Sequence, residues 1–530
     1  MHTATASFSP KFVVITTNFY DANSPTKLSI LRFSVTFSLK SPNYSIPAEI
    51  KRFIYLIGII PNRYKMKFYN REKEIKILDG IKKDFRIAVI GKRRIGKTRL
   101  VEDFYKDKCI TFFIPAEKAE KEIINGWVSE YSSLNLPKVE TFKEFFEFIF
   151  FHFKEKIIFL DEIQNSLKIN KSFIFDLQRA IDKHKPKLVI SGSLISIMKK
   201  LTEDYKSPLY GRFDFIIKLD ELNLKTVYEI CKDLGLSFED TLKVFAIFGG
   251  IPKYYELIEK MKKFSFENFI LDMFVKYPRP LYEEVKTMLK EEFGKEHKSF
   301  FSILSSISQG KNKSSEIAGF IGKKQTEITK YLSMLKDDFE IIRRCTPLIS
   351  EKKGVYEIKN NIFSFWFRNV WKYNQLLETN DENQAVEIIK KNLNKVISLN
   401  FENIILDLFK SKIIKLPFSP NKIGKQWGKI PSAEKGKNTY EIDIVALNKE
   451  KKQILFGECK WKDKINAEKI VKELIKKTDH INWPSEEDRK KRKEYFAIFA
   501  KSFSRKIKEF EGKEVYCFDL EDIEKILRKK

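Results

Sequence analysis

The chain has 530 residues, 43% of them hydrophobic, and 100 Lys+Arg against 72 Asp+Glu leave a net charge of +28. That length exceeds one ordinary core and calls for three or more domains, and the basic excess points to a polyanionic partner, DNA first, although heat-stable surfaces are also lysine-rich. The five cysteines stand singly with no CxxC pair, which excludes a disulfide frame or zinc ribbon, and no run is long and apolar enough to span a bilayer, so a cytoplasmic protein with no membrane partner is expected.

Residues 1–65 are rich in Ser, Thr and Pro and poor in acids. They read as a disordered extension or as a start placed upstream of the true one at Met66, the second being preferred. From "MKFYNREKEIKIL" onward a charged amphipathic helix begins, entered by Phe68 and Tyr69. Across 66–221 the runs "RIAVIG", "CITFFIPA", "KIIFLDE", "KLVISGS" and "FDFIIKL" alternate with amphipathic helices. Continuous apolar runs of that kind are buried parallel strands, and the class is α/β.

"GKRRIGKT" (91–98) follows the first strand and opens a helix, the context a phosphate-binding P-loop requires. Gly91, Lys92, Arg93, Arg94, Ile95, Gly96, Lys97, Thr98 and Arg99 are therefore expected round the phosphates of ATP, with Lys97 as the point charge and Thr98 on Mg2+. At the end of "KIIFLDEIQ" (156–164), Asp161 is placed on the hydrated magnesium and Glu162 beside the attacking water as base. Ser191 or Ser193, closing the next strand, reaches the γ-phosphate or the water, or simply caps the following turn. Arg212 in "SPLYGRF" reaches a phosphate in cis, or across the interface of a homo-oligomer, or forms a surface salt bridge.

Residues 222–290 read as a helical lid, and 291–376 as three short helices and a hairpin with its tip near 351–354. Ser314 is placed to cap the second of these helices. The third, with Ile328, Tyr331, Leu332 and Leu335 on one face, leaves Lys323, Lys324, Gln325 and Lys330 for a DNA groove. Such a winged helix also serves as a protein-binding module. The run "FSFWFRNVW" is core or an inter-domain seam.

Met66 to the C-terminus resembles the archaeal-type AAA+/STAND-like ATPases, relatives of the origin-recognition ATPases. The resemblance rests on "MKFYNREKEIKIL", the P-loop, "FLDEIQ", "SGSLISIM", "PLYGRF" and "FGGIPKYYE" (248–256). It implies a P-loop NTPase sheet with a lid whose Gly249, Gly250 and Pro252 contact the nucleotide base.

The last domain, 385–530, holds two apolar runs joined by a lysine-rich turn, "YEIDIVALNKEKKQILFGECKW" (440–461). As a hairpin it sets Asn448 against Gln453, Asp443 against Glu458 and Glu441 against Lys460. Opposed acids repel unless a divalent cation lies between them, and Glu402 in "FENIILDLF" can supply a third carboxylate. The arrangement resembles the PD-(D/E)XK restriction-endonuclease-like fold, with Ile442 where the motif has proline. The resemblance implies metal on Glu402, Asp443 and Glu458, with Lys460 orienting the hydroxide; a Glu441–Lys460 ion pair on an inactive scaffold is the alternative. Two functions follow: an ATPase acting on DNA with metal-dependent cleavage, or an ATP-driven STAND-like switch with a vestigial last domain.

Overall fold

The computed structural model describes residues 68–529 apart from 82–83, 350–353, 380, 431–433, 435–437 and 486. The expectations for 1–65 and for the hairpin tip lie outside the described residues. Phe68 to Asn70 are not helical. They form no regular element and bend at Asn70, with Tyr69 Oη donating to Asp233 (2.6 Å) and Asn70 Nδ2 to Thr226 (2.6 Å), and helix α1 (Glu72–Asp79) follows.

The first sheet comprises β1 (Arg86–Ile90), β2 (Cys109–Phe113), β3 (Ile157–Asp161), β4 (Leu188–Gly192) and β5 (Phe215–Lys218), all parallel in the order β2-β3-β4-β1-β5. Its crossovers are α2 (Lys97–Tyr105), α3 (Glu120–Glu130), α4 (Phe142–His152), α5 (Phe173–His184) and α6 (Ile195–Thr202). β3 and β4 are buried along their whole length, as strands covered on both faces must be. Phe112, Phe142, Phe145 and Phe146 fill the layer beneath them with no exposure. This is the P-loop NTPase fold. Inserting β4 between β1 and β3 brings the loop after β1 and the acids ending β3 to one edge of the sheet.

Beyond β5 lie α7 (Leu224–Asp233), α8 (Phe238–Phe248), α9 (Pro252–Glu259), α10 (Phe266–Phe274) and α11 (Pro280–Phe293). Next come α12 (His297–Ser308), α13 (Ser314–Ile321), α14 (Gln325–Ser333) and the antiparallel pair β6 (Ile342–Cys345) and β7 (Val355–Ile358). Ser314 is not the cap of α13 but its first helical residue. Glu316 takes the N–H groups of Asn312 and Lys313 instead, because a carboxylate three residues in reaches both. Ile328, Leu332 and Leu335 are buried as their spacing predicts. In the aromatic run Trp366 has no exposure and stacks on Trp371 (5.0 Å) while lying 5.9 Å from Tyr282 of α11, so the run is both core and seam.

Helix α15 (Glu382–Lys410), capped by Asp381, spans 29 residues and leads into a second sheet. Its main strands are β8 (Lys422–Lys429), β9 (Thr439–Asn448) and β10 (Gln453–Lys460). After the two-residue β11 (Ile465–Asn466) and helix α16 (Ala467–Thr478) come β12 (Lys493–Ala500), β13 (Phe503–Arg505), β14 (Glu509–Phe510), β15 (Lys513–Phe518) and helix α17 (Leu520–Arg528). The mixed sheet runs β14-β15-β12-β10-β9-β8. The hairpin register is the one the sequence implies, from Asn448–Gln453 to Ile444–Gly457. No described helix is long and apolar enough to cross a membrane. All five cysteines are free thiols.

Candidate functional site

The loop after β1 turns at the C-terminal edge of the parallel sheet, where open α/β sheets hold ligands. Gly96 takes φ +93° at the cap of α2, a left-handed conformation that strains any side chain. Lys97 is 5% exposed, and its Nζ donates to the Gly91 carbonyl at 3.1 Å. Burial pulls its pKa down, and Glu162 and Asp161 oppose that pull.

Each acid ending β3 has its own hydroxyl from the end of β4. Asp161 accepts from Ser191 Oγ through one oxygen and from Thr98 Oγ1 (2.7 Å) through the other. Glu162 accepts from Ser193 Oγ (2.6 Å) and from the Gln164 amide, with its second oxygen 3.7 Å from Lys97 Nζ. Burial raises the Asp161 pKa against the bonds from Ser191 and Thr98. Glu162 is half-buried, and Lys97, Ser193 and Gln164 outweigh the effect of that burial and hold it below the usual carboxylate range. Both serines, expected near the γ-phosphate or capping the turn, donate to the acids that end β3.

The other cations of the loop meet acids from beyond β5. Lys92 pairs with Glu221 (2.6 Å), Arg94 with Glu284 (2.6 Å), Arg93 with Glu291 (3.0 Å) and Arg99 with Glu256 (3.8 Å). Of these side chains, expected on phosphates, Lys92 meets the segment between β5 and α7, Arg99 meets α9, and Arg93 and Arg94 meet α11. Ile95 is buried, and its carbonyl accepts from Arg71, which also binds the Asp220 carbonyl. Gly250 lies against Leu222, where a Cβ would meet the Leu222 carbonyl at 1.8 Å, and Pro252 opens α9. Glu221 joins this turn to the loop by accepting from the Gly250 N–H (3.2 Å) and from Lys92.

Arg212 does not come to the P-loop of its own chain. It forks onto Asp182 with two 2.9 Å bonds, and Asp214 two residues on binds the first residue of β1. That is the opposite edge of the sheet, roughly 15 Å of strand away.

In the last domain the ladder opens past Ile444–Gly457, and the Asp443 carboxylate accepts from the Cys459 N–H (2.8 Å). Carboxylate oxygens of Glu402, Glu441 and Asp443 lie within 4.8 Å of one another, a spacing that suits a divalent cation. The Glu441–Lys460 ion pair of the alternative reading is not formed. Lys460 Nζ binds Glu458 (2.6 Å), as does Lys477 Nζ from α16 (2.8 and 2.9 Å), because the more buried acid attracts the cations more strongly. Glu458, expected as a metal ligand, is thus turned to two lysines, and Glu441 stands with Asp443 and Glu402. Burial, with the carboxylates of Glu402 and Glu458 nearby, pushes the Asp443 pKa up. Burial raises Glu402 too, against a 2.7 Å bond from Lys425.

Sequence reasoning missed Arg71, Gln164, Lys425 and Lys477, and gave Glu441 no metal role, pairing it with Lys460 only in the alternative reading. Only Gln164 carried a local signal, a polar residue two positions past the acid pair of a buried strand. The rest come from elements far apart in the chain.

Residues 68–258 match a model described as an ATPase domain predominantly from Archaea, and residues 366–471 match one described as archaeal and bacterial proteins of unknown function. The chain is similar to an uncharacterized protein of Methanocaldococcus jannaschii, 32% identical over 476 residues that cover 86% of this chain and 99% of the relative. Among solved structures it is similar to a Walker-type ATPase of Pyrococcus abyssi (18% identity, TM-score 0.47, 59% of this chain and 99% of that one). The ORC2 protein of Aeropyrum pernix is a further match (12% identity, TM-score 0.40, 60% of this chain and 97% of that one).

Proposed function

The chain belongs to the family of P-loop ATPases predominantly from Archaea, and on that footing we propose that it binds and hydrolyses ATP and uses the cycle to act on DNA. The observation that carries this is the Thr98–Asp161 contact of 2.7 Å beside Glu162 and the buried Lys97. A hydroxyl and a carboxylate so close form the hard oxygen donor set that magnesium takes, so the residues present fit the ion. Magnesium, when bound there, neutralises charge on the phosphates.

Lys97 exchanges Glu162 for a phosphate oxygen. Glu162 takes one proton from the attacking water as its oxygen bonds to the γ-phosphorus. The bond from that phosphorus to the bridging oxygen breaks, and ADP leaves with the electron pair. Lys97→Ala is expected to cut turnover by roughly 100-fold or more, on the scale of losing one charged donor to the reacting group. Unchanged turnover in that variant would rule this reading out.

DNA as the partner is supported by the +28 charge and by the exposed Lys323, Lys324 and Gln325 at the start of α14 and Lys330 in its last turn, in a helix–helix–helix–hairpin order that suits a winged helix. The α15–hairpin acids support a restriction-endonuclease-like metal site. Glu402, Glu441 and Asp443 would hold the ion there, which supplies an activated water. Lys460 and Lys477 would meet a phosphodiester. Incubating labelled duplex and branched DNA with the protein, with and without ATP and Mn2+, tests binding and cutting together. Absence of DNA affinity at moderate salt rules the DNA reading out.

A second reading, an ATP-driven switch of the STAND kind, is favoured by the four ion pairs from P-loop cations to Glu221, Glu256, Glu284 and Glu291. Phosphates compete for those same cations, so nucleotide binding would release α9 and α11. ATP-dependent change in assembly state without DNA binding would select this reading.

A further inference from the structure

We infer that Gln164 is a positioning residue of the ATPase, holding one oxygen of Glu162 so that the other faces the attacking water. Gln164 is 2% exposed, and its Nε2 donates to Glu162 Oε2, the oxygen that also accepts from Ser193 Oγ at 2.6 Å. Two donors on Oε2 restrain rotation of the carboxylate. Oε1 is left on the side of Lys97, 3.7 Å away, where the γ-phosphate and the water belong.

Two further observations mark the amide's place as specific. Its own Oε1 is buried without a hydrogen-bond partner, so the amide sits there at a cost that its bond to Glu162 must offset. And it lies over Gly192, where an added Cβ would meet Gln164 Oε1 at 2.5 Å and Met198 Sδ at 2.2 Å. The "SGS" closing β4 is thereby explained whole: Ser191 serves Asp161, Ser193 serves Glu162, and Gly192 leaves the slot in which the amide lies. Glu162 itself has φ +57°, so the side-chain bonds set the aim of a carboxylate on an unusual backbone.

This inference rests on Glu162 as the general base. Full-length Gln164→Ala and the near-isosteric Gln164→Met, which fills the slot without a donor, are compared with wild type for ATP turnover and for affinity toward the slowly hydrolysed analogue ATPγS. The expected result is a kcat lowered about 10- to 100-fold, part of what a general base contributes, with ATPγS affinity within twofold of wild type. Adding Gln164→Met to Glu162→Gln is expected to cost nothing further, since the two act as one unit. Equal losses in affinity and kcat, or losses that multiply in the double variant, overturn the inference. If Gln164→Ala fails to fold, Gln164→Met decides. Retained turnover in Glu162→Gln sinks the base itself, and retained turnover in Gln164→Met alone sinks only the positioning role.

Discussion

The Nδ2 of Asn400 donates to the carbonyl of Ala246 at 2.6 Å, in a buried contact between α15 and the last turn of α8. Asn361 Nδ2 caps the neighbouring Phe245 carbonyl at 3.0 Å. The end of α8 runs into Gly249 and Gly250, which touch Glu221 and through it Lys92 of the P-loop. Two residues beyond Asn400 stands Glu402, on the acid cluster of the last domain. This buried hydrogen bond is thus one of the links between the two chemistries, beside the Lys501–Glu239 pair (3.0 Å) and the Tyr228–Glu524 bond (2.5 Å).

Asn400→Leu is predicted to leave the Ala246 carbonyl unpaired and to destabilise the protein by about 1–3 kcal/mol. It should also uncouple the ends of the path. In wild type, ATPγS should change amide exchange around 398–406, and by linkage the effect must be reciprocal. Exchange that responds equally to nucleotide in Asn400→Leu would show that the coupling runs elsewhere.

The acid cluster predicts a ligand order that differs from the hairpin motif. In nucleotide-free protein, Glu441→Gln and Asp443→Asn should each weaken Mn2+ binding by roughly tenfold or more. Glu458→Gln should weaken it less, because Glu458 is engaged by Lys460 and Lys477. Without metal, Asp443→Asn should raise the melting temperature, since it removes one of several crowded buried carboxylates. Calorimetric titration and melts in chelator check both. A larger loss in Glu458→Gln than in Glu441→Gln would return the ion to Glu458.

Stability against pH turns partly on Glu292 of α11, which burial raises to about 7 while Ser196 Oγ donates to it at 3.2 Å. Its folded pKa lies above the unfolded value. The folded state therefore binds the proton more tightly, and the contribution is complete below the unfolded pKa and lost as pH rises through about 7. Glu292→Gln is predicted to melt like wild type near pH 4 and to be more stable at pH 8, by on the order of 1–3 kcal/mol. Denaturant titrations at both pH values test the sign.

For DNA, charge reversal at Lys323, Lys324 or Lys330 should weaken binding similarly across sequences. The slope of log affinity against log salt should fall by about 1 for each phosphate that is no longer neutralised. All three lysines are exposed. A slope unchanged in the triple variant would take α14 out of the interface.

The sequence alone settled the local chemistry: a strand, a glycine loop and a helix for phosphate, two acids ending a buried strand, and a hairpin whose register follows from apolar spacing across a turn. Each depends on neighbours in the chain, and periodicity and turn length decide such things. Partner choice among charged groups was not legible. Lys460 could face Glu441 or Glu458 on spacing alone, and burial of Glu458, with Lys477 arriving from α16, decided it. Arg212 carried a phosphate-reaching motif, yet the fold put it at the far edge of the sheet on Asp182. The pairing of Lys92, Arg93, Arg94 and Arg99 with acids from distant elements was equally hidden. A long charged side chain takes whichever opposite charge the packed elements bring within reach, and that is a property of the tertiary structure.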